Sequence, residues 1–235
     1  MTQHRPTTGL HRLSTPRAAG LAGVLFAVLF GAAIALIRSA LPEGAAPGSQ
    51  WLDAGSTRLR LASLLIPFAG IAFLWFIGVV RDGFGRYEDK FFASVFLGSG
   101  ILFLAMTFVA AGLASGLVAS APLLDKSGDA SGASPLAQVV IIALFKTYAI
   151  RMAAVFMISL ATIWLKTGLM PKWLVGTTYL VAVSLLIGSD ISTWIVLAFP
   201  AWVLVVSLLA LVSAGVIDLH HDDDEDAGRN ASGRS

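Results

Sequence analysis

The sequence predicts an all-α membrane protein, a bundle of six transmembrane helices. Of its 235 residues 57% are hydrophobic and only 13% are charged, whereas soluble domains carry about a quarter charged residues. The apolar residues also fall into blocks of about 20, the length of helix that crosses roughly 30 Å of hydrocarbon. Composition and block length together favour a polytopic helical bundle.

The predicted membrane domain covers residues 18–217. It follows a basic leader over residues 1–17 and precedes an acidic tail over residues 218–235, and we expect both to be disordered and cytoplasmic. The spans are predicted at about 18–37, 59–80, 91–121, 136–165, 172–188 and 191–217.

The first span has two interpretations. A basic start followed by an apolar run is typical of a signal peptide, but this run exceeds the usual apolar core of about 7–15 residues and ends directly on Arg38. We therefore interpret it as an uncleaved anchor.

Proline and glycine positions predict the breaks. Residues 38–57 and 122–135 are rich in Gly, Ser and Pro and are predicted loops. Pro67 and Pro200 lie inside predicted spans and are expected to kink them.

A tight turn is predicted between the fourth and fifth spans. Gly168 is expected to end one helix and Pro171 to start the next.

The third span contains Gly112 and Gly116 at GxxxG spacing. Small residues at this spacing let a second backbone approach closely. The pattern indicates either packing within the bundle, which we favour, or an oligomer interface.

Orientation follows from the distribution of Lys and Arg, which are in excess on the cytoplasmic side. With the N-terminus inside, the inner segments hold ten of these residues and the outer loops hold four. Both termini are therefore expected in the cytoplasm of a bacterial plasma membrane.

The fourth span carries two cations, Lys146 and Arg151. At 100° per residue, Arg151 shares a helix face with Tyr148, Ser159 and Thr162, and we expect this polar stripe to face the bundle interior. Lys146 is about 140° away from Arg151 on the same wheel, so its long side chain is expected to reach the interface instead.

Three roles for Arg151 stay open. A cation in the bilayer costs about 2.5 kcal/mol or more and therefore usually serves a purpose. Arg151 would bind an anionic ligand, or pack against backbone carbonyls, or lie near the surface with 136–146 forming an interfacial helix. An ion pair of Asp190 with Lys146 or Arg151 is a further hypothesis.

Two charged segments are candidate cytoplasmic sites. The loop at 81–90 is expected to be an interaction loop, and its catalytic or metal-binding alternative would use Asp82, Glu88 and Asp89. The histidines and acidic run at 220–226 would bind a divalent ion only weakly, and we interpret them as a solubilising tail. The candidate interaction residues of the loop are Arg81, Asp82, Arg86, Glu88 and Asp89.

Catalytic chemistry is not indicated. The chain has no cysteine, no histidine within a span and no known catalytic or nucleotide-binding motif. We expect no enzyme activity, cofactor, metal or nucleic-acid partner, and expect contacts with the lipid bilayer and with a second copy or another membrane protein.

Two stretches carry a resemblance: RDGFGRYEDKFFASVFLGSGILFLAM at 81–106 and RMAAVFMISLATIWLKTGLMPKWL at 151–174. Together they resemble an uncharacterised family of multi-span membrane proteins common in high-GC Gram-positive bacteria. The resemblance implies a bacterial plasma-membrane setting and no specific activity.

Two functions are therefore weighed. The first is a small transporter-like unit or subunit, favoured by kinked spans and Arg151. The second is a non-catalytic scaffold or interaction protein, while an enzyme acting on lipid within the membrane is a weaker third. A wet cavity at Arg151 favours the first, and a dry bundle with an exposed small-residue face on the third helix favours the second.

Overall fold

The computed structural model describes residues 15–40, 50–82, 90–127, 130–168, 170–188 and 193–212. The fold is all-α, as predicted, and the described residues contain helices and no strand. The helices are α1 (Thr15–Ala40), α2 (Gln50–Asp82), α3 (Lys90–Ser127), α4 (Ala130–Ile142), a π-helix (Ala143–Ala149), α5 (Ile150–Thr167), α6 (Lys172–Gly188), a 3-10 helix (Thr193–Leu197) and α7 (198–212).

Five helical segments within the described residues are long and apolar enough to cross a membrane. They lie in α1, in α2, in α3, in the continuous segment Leu136–Thr167, and in Ile195–Val212. α6 is also apolar but is shorter, with 17 residues. The bundle therefore has the predicted six helices, of which five meet the length of a full span.

Two predicted loops are shorter than the sequence indicates. α3 continues to Ser127 and α4 begins at Ala130, so most of the predicted loop at 122–135 is helical. Likewise α2 begins at Gln50 within the predicted loop at 38–57. The prediction gave Gly, Ser and Pro too much weight, because Ala, Leu and Lys in the same segments are good helix formers.

The predicted breaks have mixed outcomes. Gly168 ends α5 in a left-handed conformation with φ +68°, and its N–H donates to Trp164 O over 2.9 Å, so this prediction is confirmed. Pro67 lies inside α2 as expected. Pro200 is only the third residue of α7, where a helix does not need its N–H, so it does not interrupt the helix interior.

The centre of the bundle is a cluster of five fully buried phenylalanines, one from each of the five long segments. We call it the phenylalanine cluster, and its members are Phe26, Phe73, Phe103, Phe156 and Phe199. The ring centroid of Phe199 lies 5.0 Å from that of Phe103 and 5.8 Å from those of Phe26 and Phe73. Phe26 and Phe73 are 4.6 Å apart. Tilted and edge-to-face rings at these distances attract one another, so the cluster fixes how the helices meet.

Hydrogen bonds attach α6 to its neighbours. Trp202 Nε1 on α7 donates to Thr178 Oγ1 over 2.9 Å, and Thr178 is fully buried. The hydroxyls of Thr162 on α5 and Tyr179 are 2.7 Å apart. Since water cannot substitute for a partner in hydrocarbon, such bonds hold a short helix against a bundle.

Glycine makes room where α1 meets α7. A Cβ added at Gly23 would overlap Ser207 Oγ and approach Phe76 Cδ2 to 2.8 Å, and one at Gly20 would overlap Leu211. These positions let the two backbones come close, as small residues do between membrane helices.

The GxxxG pair on α3 has the opposite environment. Gly112 and Gly116 are both exposed on the outside of the bundle, and a Cβ at either would meet no atom within 4 Å. Our preferred interpretation, packing within the bundle, is therefore wrong for this pair, because the α3 face that contacts α2 and α5 is a different one.

Candidate functional site: the π-helix with Lys146 and Arg151

A π-helix interrupts the fourth span at residues 143–149. Its turns close with bonds from residue i+5 to residue i, and the N–H of Ile150 donates to the carbonyl of Phe145. The helix is otherwise continuous from α4 into α5. Short π-helical segments within α-helices are rare and occur frequently at functional sites, so this segment is the first place to look for one.

Packing fixes the rotation of this segment. The ring of Phe145 lies 5.9 Å from Phe30 and packs against the core, and Ile150 is fully buried. Two residues five apart therefore share the core-facing side. The next pair at the same spacing, Lys146 and Arg151, must share a side as well.

This geometry corrects the predicted separation of the two cations. The value of about 140° assumes 100° per residue, which holds for an α-helix and fails where five residues complete a turn. Both side chains are half-buried. The structure thus gives two neighbouring cations on one flank of the helix, next to its buried face.

Arg151 is held partly by its own helix. Its Nη1 lies 3.5 Å from the carbonyl oxygen of Thr147, at the long limit of a hydrogen bond. The contact turns the guanidinium toward the π-helix, and therefore toward the turn that carries Lys146. Part of the packing interpretation of Arg151 is thereby met.

The depth of the pair follows from helix length. Lys166, near the end of α5, lies 4.5 Å from the ring centroid of Phe92 near the start of α3, so both mark one end of the bundle. At 1.5 Å per residue, Arg151 is about 22 Å and Lys146 roughly 30 Å from Lys166 along the helix. If Lys166 lies at one membrane boundary, the pair lies close to the other. This supports the shallow position of Arg151, although the backbone does not form 136–146 as a separate interfacial helix.

The predicted polar stripe does not face inward as one unit. Ser159 is buried and donates to Val155 O over 2.9 Å, and Thr162 is half-buried and bonds to Tyr179. Tyr148, however, is 57% exposed, so the prediction is wrong for this residue. The reason is again the π-helix, since a wheel at 100° per residue cannot be continued through it.

The other predicted site residues are only partly described. Asp190, the expected partner of Lys146, lies outside the described residues, so the pair stays a prediction. Arg81 and Asp82 end α2 and are exposed, while Arg86, Glu88 and Asp89 lie outside the described residues. Within the described ranges, no group of three His, Cys, Asp or Glu residues could hold a metal ion.

The phenylalanine cluster lies at the level where a transport route would have to pass. Phe156 is ten residues from Lys166, or about 15 Å along the helix, which is half of the roughly 30 Å hydrocarbon thickness. Its ring also stacks on Phe96 at 4.5 Å. The bundle centre near mid-depth is therefore filled by packed rings.

Sequence reasoning missed the residues that join α5, α6 and α7. Tyr179, Thr178 and Trp202 were not predicted to interact, and isolated Thr and Tyr residues in an apolar run carry no pairing signal. The π-helix was missed for a related reason, because no residue pattern in ALFKTYA distinguishes it from an α-helix.

Comparison of the chain with known protein families, with characterised proteins and with solved structures gave no match.

Proposed function

We propose that the protein is a non-catalytic scaffold or interaction protein of a bacterial plasma membrane, with both termini in the cytoplasm. The observation that carries the proposal is the phenylalanine cluster. A transporter-like unit needs a route for its substrate near mid-depth, and there five fully buried rings contact one another instead.

The exposed face of α3 supports the same proposal. Gly112 and Gly116 lie on it beside Val109 and Leu113, which are 51% and 41% exposed. An exposed surface of this kind is shallow and apolar, so another helix can approach the backbone closely and gain van der Waals contact. The partner would be a second copy of the chain or another membrane protein.

The proposed orientation rests on the distribution of cations. Lys90, Lys166 and Lys172 lie at helix ends on one side of the bundle, and the contact of Lys166 with Phe92 joins two of these ends. On the other side, Arg58 Nη1 donates to Ser39 O over 2.8 Å near the end of α1. Arg58 thus stabilises carbonyls at a helix C-terminus, which accounts for a cation on the predicted outer side.

Self-association in lipid tests the scaffold proposal. The full chain would be labelled, reconstituted in liposomes at low density and counted by single-molecule photobleaching. The variant Gly112→Ile/Gly116→Ile places large side chains on the α3 face, and Gly78→Ile/Gly176→Ile is the matched control, since both of its glycines are exposed with no atom within 4 Å of an added Cβ.

The proposal expects oligomers for the wild type and the control, and monomers for the α3 variant. If the wild type is monomeric, the same variants are compared by cross-linking in native membranes, where only the α3 variant should lose its cross-linked partner. Equal behaviour of both variants would overturn a role of the α3 face.

A further inference from the structure

We propose that Lys146 and Arg151 form a binding site for the phosphate of an anionic lipid headgroup, in the leaflet opposite Lys166. The inference shares the membrane setting with the proposed function but is independent of the scaffold role and of the α3 face. Its ligand class is a phosphodiester anion, and the lipid is its proposed source.

The first step of the argument is the pairing of the cations. Two like charges at neighbouring positions on a helix repel each other. Here the π-helix brings them together, since Phe145 and Ile150 fix its rotation through core contacts. An α-helix over the same residues would separate the charges, so this local geometry is what creates the site. An anion contacting both cations offsets their repulsion.

The second step is the depth of the pair. Both side chains are half-buried, and the helix length from Lys166 puts them near the opposite membrane boundary. This is the level of the lipid phosphates. Cations at this level both avoid the cost of a charge in hydrocarbon and meet headgroups.

The third step is the chemistry of the two groups. A guanidinium offers a planar fork of donors that suits phosphate oxygens, and an ammonium contributes a compact charge on a flexible stem. Tyr148, exposed on the same π-helix, adds an aromatic ring with a hydroxyl of the type that favours membrane interfaces. Together these groups match a phosphate at the interface better than a neutral ligand.

The test is lipid binding by the full chain in a neutral detergent. Phosphatidylglycerol, phosphatidylcholine and inorganic phosphate are titrated separately, and apparent Kd values are taken from the ligand dependence of the unfolding midpoint. The variants are Lys146→Gln, Lys146→Arg and Arg151→Gln. Lys172→Gln, an exposed cation at the other side of the bundle, is the matched control for net charge.

We expect phosphatidylglycerol to stabilise the wild type more than phosphatidylcholine does. Lys146→Gln and Arg151→Gln should each weaken its binding by at least about tenfold, because a charge-assisted hydrogen bond is lost. Lys146→Arg should keep it, and Lys172→Gln should leave it within about twofold. If Arg151→Gln fails to fold, the comparison of Lys146→Gln with Lys146→Arg still decides the question.

Equal affinities of the wild type and Lys146→Gln for phosphatidylglycerol would overturn the site. Equal stabilisation by inorganic phosphate at the same concentration would overturn the lipid as its source. Neither result depends on whether the protein self-associates, so failure of this inference is distinguishable from failure of the scaffold proposal.

Discussion

Trp202 on α7 donates its indole N–H to the hydroxyl of Thr178 on α6, over 2.9 Å and inside the bundle. The same hydroxyl donates to Leu174 O over 2.7 Å, so its donor and one acceptor position are both used. Trp202 also lies against Phe199 and Trp164, with ring centroids 6.3 and 6.2 Å away. One side chain thus joins α6 to the aromatic core.

Loss of this hydrogen bond should destabilise the protein modestly. Thr178→Val removes the acceptor and leaves the buried indole N–H unpaired, and we expect a loss of about 1 kcal/mol in unfolding free energy, typical of interhelical hydrogen bonds in membranes. Thr177→Val is the control, because Thr177 is exposed and bonds only within its own helix among the contacts described. Unfolding in mixed micelles measures both, and an equal effect of the two substitutions would contradict the role of the bond.

The close approach of α1 and α7 predicts a second difference. Gly23→Ala places a methyl group against Ser207 Oγ and Phe76, and we expect it to cost about 1–3 kcal/mol through overpacking. Gly31→Ala on the same helix meets no atom within 4 Å. It should be neutral or stabilising by up to about 1 kcal/mol, because alanine favours a helix more than glycine does. A Gly23→Ala variant as stable as Gly31→Ala would contradict the packing described for this contact.

The predicted ion pair of Asp190 can be assigned to one of the two cations. The hydrogen bond between Thr162 and Tyr179 sets the antiparallel register of α5 and α6, so Gly188 at the end of α6 stands opposite residue 153 or so. Arg151 is nearer to this level than Lys146 is. A double-mutant cycle of Asp190→Asn with Arg151→Gln should therefore show a coupling of about 0.5–3 kcal/mol, and the cycle with Lys146→Gln a smaller one.

The two cycles use the same Asp190→Asn variant, so any effect of that substitution alone cancels between them. Additive losses in both cycles would exclude an ion pair of Asp190 with either cation. A larger coupling with Lys146 would support the pair first predicted from the sequence.

The sequence predicted what local chemistry determines. Block lengths of apolar residues identified the helices, and Gly168 could be predicted as a helix end because the left-handed conformation that closes α5 favours glycine. The loop at 122–135 was overpredicted because Gly, Ser and Pro only weaken helices there, and neighbouring contacts decide whether a helix continues.

The candidate site could not be predicted in the same way. Its residues were identified, since a cation in an apolar run is conspicuous, but their arrangement was not. Whether residues 143–149 form an α- or a π-helix depends on how Phe145 and Ile150 fit a core assembled from distant segments. The same holds for the phenylalanine cluster, whose five members come from five helices.

The central claim is that the bundle interior is closed to water. Because the chain has no cysteine, single cysteines can be introduced and labelled with a membrane-impermeant thiol reagent in intact vesicles. Ser159→Cys is nearly isosteric and lies at a site that is 3% exposed, eight residues beyond Arg151, whereas Tyr148→Cys lies at a site that is 57% exposed.

Labelling of these two variants from the outer side is the most direct test. The account predicts that Tyr148→Cys reacts and that Ser159→Cys stays unlabelled until the protein is denatured. If Ser159→Cys reacts as fast as Tyr148→Cys in the folded protein, water reaches the bundle interior, and a transporter-like function would replace the scaffold proposal.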